Sequence, residues 1–250
     1  MNSNRPRARA LGQLRSVYPC SGIDLLEARA CEQAVFGRCF GNSAEEIAEQ
    51  YGPYEQSTTF GAVFAADGAA VGAMRLIRPG TERVKTLQDA SKSPWNLHIG
   101  RVSECAGLDE TRTWDVASFG VDSVVAGVDR RIALLLLAAM FGAFRDNEAT
   151  SFVAMLDSGA RRALQARGVR MLNLPHADAA PYLGSTNSAP VYRHLADLHL
   201  EHARQFPHDH LQMFHGLGFD GPDVRPRVLC SSVPIAGLQS ATQSGCRDGH

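Results

Sequence analysis

Nothing in this chain constrains its folding more than the run Ile132-Ala-Leu-Leu-Leu-Leu-Ala-Ala-Met-Phe-Gly-Ala-Phe144. Ala, Leu and Met favour the helix, and a helix that is apolar all round has to be buried. The run is well short of the ~18 apolar residues that read as a membrane span, so the protein itself must cover it. Just upstream, Trp114-Asp-Val-Ala-Ser-Phe-Gly-Val121 reads as a strand. Residues 122–129, with their Asp, Ser and Gly, read as the loop between them. The spacing therefore predicts a strand that feeds, through a short loop, a core helix. The N–H groups at such a helix start have no partner within the helix and suit an anion or a polarised carbonyl.

Around this unit the pattern alternates. Ile23 to Phe40 has helical spacing, with Asp24 and Glu27 near its start. Ser43 with Glu46 three residues on is a capping box, opening a helix from Ala44 to Tyr51. Thr58–Ala65 and Ala70–Ile77 read as a hairpin around Asp67-Gly68. Thr81 to Thr113 reads as polar and irregular, and loops of that length inside a domain are usually functional or disordered. Ser151 to Leu156 is a strand without alternation, as expected when both faces are buried. Asp157 to Arg167 is a helix with Ala160, Ala163 and Leu164 inward and Gly168 as C-cap. Arg170–Leu174 is a short strand, Val191–Leu200 fits either a strand or a helix, and His202–Phe219 is helical. A basic tail over 1–20 and a Pro/Ser/Gly-rich tail over 221–250 are expected to be disordered, leaving 21–220 as the folded domain. The order is a mixed α/β pattern.

Bulk properties exclude some functions. A formal net charge of -1 argues against a surface committed to nucleic acid. The six Cys form no C-x-x-C pair, which argues against a zinc site or a disulfide framework and for a reducing, cytoplasmic setting. His194, His199, His202, His208, His210 and His215 cluster in sequence, but no H-E-x-x-H motif frames them. They read as solvated histidines, so no metal is expected and a chelator should not matter to activity.

Four segments resemble the Gcn5-related acetyltransferase (GNAT) superfamily, and within it the acyl-homoserine-lactone synthases and N-acyl amino acid synthases. Arg29–Phe40 (RACEQAVFGRCF) is similar to the first-helix segment of that branch. Gly72-Ala-Met-Arg75-Leu76, with Pro79 after it, is similar to its G-x-x-R-L strand. Trp114-Asp-Val-Ala-Ser-Phe119 is similar to its W-E-x-S-R-F strand. Met155–Gly168 is similar to its strand-then-helix segment ending in R-x-G. Three positions depart from the pattern: Asp115 stands for Glu, Ser118 for Arg, and Glu32 for Arg. The R-x-x-G-x-G/A loop of ordinary acetyltransferases is also missing, which favours the synthase branch.

The resemblance implies a GNAT-like α/β fold, with a mostly antiparallel central sheet, a V-shaped splay and flanking helices. It implies transfer of an acyl chain to the amine of an amino acid or similar small molecule. The donor would be acyl-CoA or an acyl-phosphopantetheine, with an acyl carrier protein as partner in the second case. Two alternatives stand beside it: an N-acetyltransferase using acetyl-CoA, and an inactive module that binds acyl-thioesters.

Aminolysis of a thioester needs a base for the amine, donors for the oxyanion and a grip on the acyl donor. Asp115 and Glu55 are the candidate bases; their bland readings are a salt-bridged carboxylate and a solvated turn residue. Arg75, among apolar strand neighbours, should pair with Asp115 or with a substrate carboxylate, unless it points to solvent. Main chain around Phe119, Gly120 and Val121 is the candidate oxyanion site. Gly127, Arg130 and Arg131 are the candidates for the donor phosphates. Tyr192 could protonate a leaving thiolate, but packing explains it as well.

Overall fold

The structure, a computed structural model, describes residues 13–80, 82–122, 130–217 and the backbone of 224–228. In chain order it runs β1 (Leu14–Tyr18), α1 (Gly22–Phe40), α2 (Ala44–Tyr51), a 3-10 turn (Gly52–Ser57), β2 (Thr58–Phe64), β3 (Ala70–Ile77), α3 (Lys85–Ala90), α4 (Ile99–Ala106), β4 (Thr113–Val121), α5 (Arg130–Asp146), β5 (Ser151–Asp157), α6 (Ser158–Gln165), β6 (Leu172–Asn173), β7 (Ala180–Tyr182), β8 (Ser185–His194), α7 (Leu195–Gln205), α8 (Pro207–His215) and β9 (Val224–Val228). The sheet order is β6-β8-β5-β4-β3-β2-β1-β9, with β7 on β8. Only β4–β5 and β1–β9 are parallel; every other pair is antiparallel.

The parallel pair makes the splay. β4 and β5 share register only from Thr113–Ser151 to Asp115–Val153. Beyond those positions the two strands diverge, β4 staying on β3 and β5 on β8. Backbone groups on the facing edges of the diverging halves therefore have no strand partner. A bulge adds to this: Arg75 pairs with Ser118 but Leu76 with Val116, so Ala117 is the extra residue.

The apolar helix α5 is buried as expected. Ile132, Leu135, Leu136, Leu137, Phe141 and Phe144 pack against Trp114, Met74, Val71 and Phe152. A full burial of each such side chain is worth roughly 1.5–3 kcal/mol. Its opposite flank is covered by the α7–α8 hairpin, where Phe214 stacks on Phe141 at 4.2 Å between centroids. On the other face of the sheet, α1 lies across β2 and β3 through Ala28, Cys31 and Val35.

Several segments differ from expectation. The N-terminal tail ends early, because Leu14–Tyr18 pairs antiparallel with β2 and buries Leu14 and Val17. Val224–Val228, placed in the C-terminal tail by composition, runs parallel beside β1. Residues 1–12, 221–223 and 229–250 of the two tails lie outside the described residues. The segment expected to be irregular holds two helices within its described residues, 82–113: α3 and α4. Val84, Leu87 and Ala90, then Ile99, Val102 and Ala106, are buried in a core of their own. Their three- and four-residue spacing is the signal that the polar residues between them masked. Val191–Leu200 is both strand and helix, the chain switching at His194–Leu195.

Candidate active site

A cavity of about 520 Å³ fills the splay, within the ~300–1,000 Å³ usual for ligand pockets. Its walls come from the diverging halves of β4 (Val116 to Phe119, and Val121) and β5 (Met155 to Asp157), from α1 (Val35, Phe36), α5 (Ala133, Leu137) and α6. The α6 residues expected to face inward, Ala160, Ala163 and Leu164, all line this cavity; Ala160 and Leu164 also pack against the main core, while Ala163 stays exposed. Small side chains at 117, 133, 159, 160 and 163 leave the room. Asp157 fixes the start of α6 by accepting from the N–H groups of Gly159 (2.5 Å) and Ala160 (3.0 Å).

One end of the cavity is polar. Tyr51, Lys85, Thr86 and Tyr182 line it. Thr86 hands both of its donors to Asp115: its N–H lies 2.5 Å from Oδ2 and its hydroxyl 2.9 Å from Oδ1. Asp115 itself is fully buried behind Thr86. Burial is the main influence on its carboxyl and pushes it up to about 7, the Thr86 hydrogen bonds opposing this. Lys85, also buried, bonds Asp89, the Tyr182 hydroxyl (2.7 Å) and Gln50 (3.2 Å). The Tyr182 hydroxyl donates to Asp89 at 2.5 Å. Burial, then the Asp89 charge, holds the Tyr182 phenol far above its ordinary range. Tyr51 donates to the carbonyl of the bulge residue Ala117 at 2.9 Å.

The lining also holds an arginine, Arg167, at the end of α6. Burial and then the charge of Arg130 lower its pKa. Arg130 and Arg131 are exposed in the first turn of α5. Gly127, the third residue expected to meet a phosphate, lies outside the described residues.

The sequence-derived candidates thus separate. Phe119 and Val121 line the cavity, and Asp115 stands behind its wall. Gly120 serves packing instead: a Cβ there would come within 2.8 Å of Val35 Cγ1, so its lack of a side chain lets α1 approach the sheet. Arg75 pairs with neither Asp115 nor the cavity. Its Nε and Nη2 grip Glu32 at 2.9 and 2.5 Å, the Ser118 hydroxyl donates to the same carboxylate, and the guanidinium lies against Tyr51 and Phe60. Glu55 sits half-exposed on the 3-10 turn and pairs with Arg29. Tyr192 packs against His194 and the α3–α4 core. Thr86, Lys85, Tyr182 and Arg167 were missed, the first two because their segment reads as loop.

Comparison with known proteins supplies the fold and little more. No family model matches the chain, and no curated protein does. Among solved structures it is similar to FeeM, an N-acyl amino acid synthase from uncultured soil microbes, with 12% identity over 78% of this chain and 97% of that one, at a TM-score of 0.58. It also matches BjaI, a CoA-dependent acyl-homoserine lactone synthase (15% identity, 77% of this chain and 89% of that one, TM-score 0.47). A third match is the spermidine N-acetyltransferase of Vibrio cholerae (10% identity, 74% and 98%, TM-score 0.46). The sheet with its single internal parallel splay, its flanking helices and the likeness to the synthase together identify the architecture: this chain has the GNAT fold.

Proposed function

We propose that the protein is an N-acyltransferase that moves an acyl chain from a pantetheine thioester to the amine of an amino acid or similar small molecule. The observation that carries this is the cavity in the splay, whose largely apolar lining also holds the Tyr51–Lys85–Thr86–Tyr182 group and Arg167. Each part matches a part of the reaction. The unpartnered edges of β4 and β5 offer N–H and C=O groups to the amides of an extended pantetheine arm, as one strand does to another. The Ala-lined walls take the acyl chain. Arg130, Arg131 and Arg167, with the first N–H groups of α5, take the phosphate end. The acceptor binds at the Tyr51–Lys85–Thr86–Tyr182 end.

At that end Asp115 acts through Thr86. The amine gives its proton to the Thr86 hydroxyl as that hydroxyl passes its own to Asp115. The nitrogen, now a neutral NH₂, attacks the thioester carbonyl, whose oxygen is held by main-chain N–H on β4; the C–S bond breaks, and the leaving thiolate takes up the second proton that the nitrogen sheds as the amide forms. A carboxyl that titrates at about 7 is suited to this exchange, because a base works best near the operating pH. Glu55 and Arg75, paired with Arg29 and Glu32, take no part in this scheme.

Incubating the purified protein with acyl-CoA or acylated carrier protein and a set of amino acids, followed by mass spectrometry, tests the reading. A new N-acylated product is expected. Hydrolysis alone, or stable binding of thioester with no product, would replace the reading with that of a non-catalytic binding module.

The donor site is tested separately. Arg130→Ala with Arg167→Ala should weaken donor binding and leave acceptor affinity nearly unchanged. The loss should be larger for a carrier-protein donor, whose acidic surface makes further contacts with these arginines. Titration of both donors into wild type and variant measures it; unchanged affinity for both would move the phosphate end elsewhere.

A further inference from the structure

The structure assembles a set of histidines that the catalytic scheme leaves unused. His199 on α7 and His210 and His215 on α8 bring one ring nitrogen each to within 4.8 Å of the others. Their ring centroids are 4.4 Å (His199–His210), 5.4 Å (His210–His215) and 5.6 Å (His199–His215) apart. None of the three lines the acyl cavity.

The arrangement is more than a chance surface cluster, because its central member is buried. His210 is only 5% exposed, yet its Nδ1 has no hydrogen-bond partner among the described residues. A buried polar nitrogen without a partner is unfavourable, and a ligand removes that cost. The ring is also held firmly: it stacks on Phe214 at 4.6 Å, and Phe214 stacks on Phe141 of the buried helix α5. His199 and His215 flank it from two different helices and reach solvent. The pattern is a fixed central ligand with two adjustable ones.

We propose that His199, His210 and His215 bind one first-row divalent ion of the zinc class, which clamps α7 to α8 on the outer flank of α5. Three imidazoles without a carboxylate or thiolate select Zn²⁺, Co²⁺, Ni²⁺ or Cu²⁺ over Mg²⁺ and Ca²⁺, which require oxygen ligands. Zinc–imidazole bonds of about 2.0–2.1 Å in a tetrahedral site place the nitrogens roughly 3.3 Å apart. Rotation of the His199 and His215 side chains closes the remaining gap, and water fills the fourth position. The clamp joins residues on two helices separated by the break at Phe206–Pro207, so its effect is on stability. Acyl transfer in the cavity proceeds without it, which keeps the proposal independent of the proposed reaction.

The test uses the full chain, stripped with chelator and dialysed free of metal, and titrated with Zn²⁺ and with Co²⁺. One equivalent should bind, Co²⁺ should give the intense visible absorption of a tetrahedral nitrogen site, and the thermal midpoint should rise with zinc concentration. His199→Ala with His215→Ala leaves the buried ring in place. It should preserve the metal-free thermal midpoint and weaken zinc binding by more than about 100-fold, beyond what loss of a supporting partner costs. Should that variant fold poorly, His215→Ala alone, at the end of α8, gives the same comparison. Equal zinc affinity in wild type and variant, or no tetrahedral cobalt signal from wild type, would overturn the proposal.

Discussion

Asp115→Asn is expected to lower turnover by about 100- to 10,000-fold, the usual contribution of a positioned base, while leaving the protein folded. The amide keeps the shape of the carboxylate. Its oxygen can accept the Thr86 N–H, and its NH₂ can donate to the Thr86 hydroxyl, which reverses its role from donor to acceptor. Thr86→Val should give a similar loss, because it breaks the relay and leaves Asp115 intact. The pH profile separates chemistry from damage. With the Asp115 carboxyl at about 7, wild-type turnover should rise as pH passes through 7, and that limb should vanish in Asp115→Asn. Stability moves the other way. Burial raises this carboxyl in the folded state above its ordinary value of about 3.9. The stabilisation this represents is fully present below pH about 4 and is lost as pH rises through about 7. Asp115→Asn should therefore gain stability relative to wild type across that window, read from denaturant unfolding at a series of pH values. Wild-type turnover in Asp115→Asn would remove the residue from the mechanism.

Glu32→Ala should cost about 3–5 kcal/mol of folding stability, since it leaves the Arg75 guanidinium buried without its counter-charge. Arg75 is 4% exposed and Glu32 likewise, and Ser118 would lose its acceptor as well. Arg75→Met alone should be comparably costly. The pair Glu32→Leu with Arg75→Met should recover most of the loss, because replacing a buried ion pair with apolar side chains is often near neutral. Urea unfolding of the two single variants and the double variant closes the cycle. Additive losses would mean that the two residues do not depend on each other, contrary to the bidentate geometry.

That ion pair also explains two oddities of the sequence. Glu32 and Ser118 each stand where the resembled family carries Arg. Read along the chain, they are two separate losses of function-bearing residues and suggest an inactive copy. In the structure they meet: the carboxylate of one accepts from the hydroxyl of the other and from Arg75. Ser118 faces Arg75 across the β3–β4 register, and Glu32 comes from α1 lying on that sheet. The two changes form one self-consistent network. Two arginines at those places would set two further cations beside Arg75; a carboxylate and a hydroxyl set one anion against one cation.

What the sequence determined by itself is the set of elements whose cause is local. The buried helix α5 follows from an apolar run with no polar face, the start of α2 from the Ser43–Glu46 capping box, and the β2–β3 hairpin from Asp67-Gly68 between two apolar strands. Each rests on neighbours within a few positions, so periodicity and turn chemistry suffice to find it. The order of those elements, with four short segments of family resemblance, was enough to anticipate the GNAT fold. What only the tertiary structure decided are the meetings between distant positions. The partner of Arg75 lies 43 residues away and that of Asp115 29 residues away. Where β4 and β5 part company, and so where the cavity opens, is set by the competing partners β3 and β8. The three histidines converge because two helices fold back on α5, their closeness in sequence saying nothing of their closeness in space. A side chain's pairing and charge depend on burial and on register across the sheet, and neither is carried by the local pattern that forms the strand or helix beneath it.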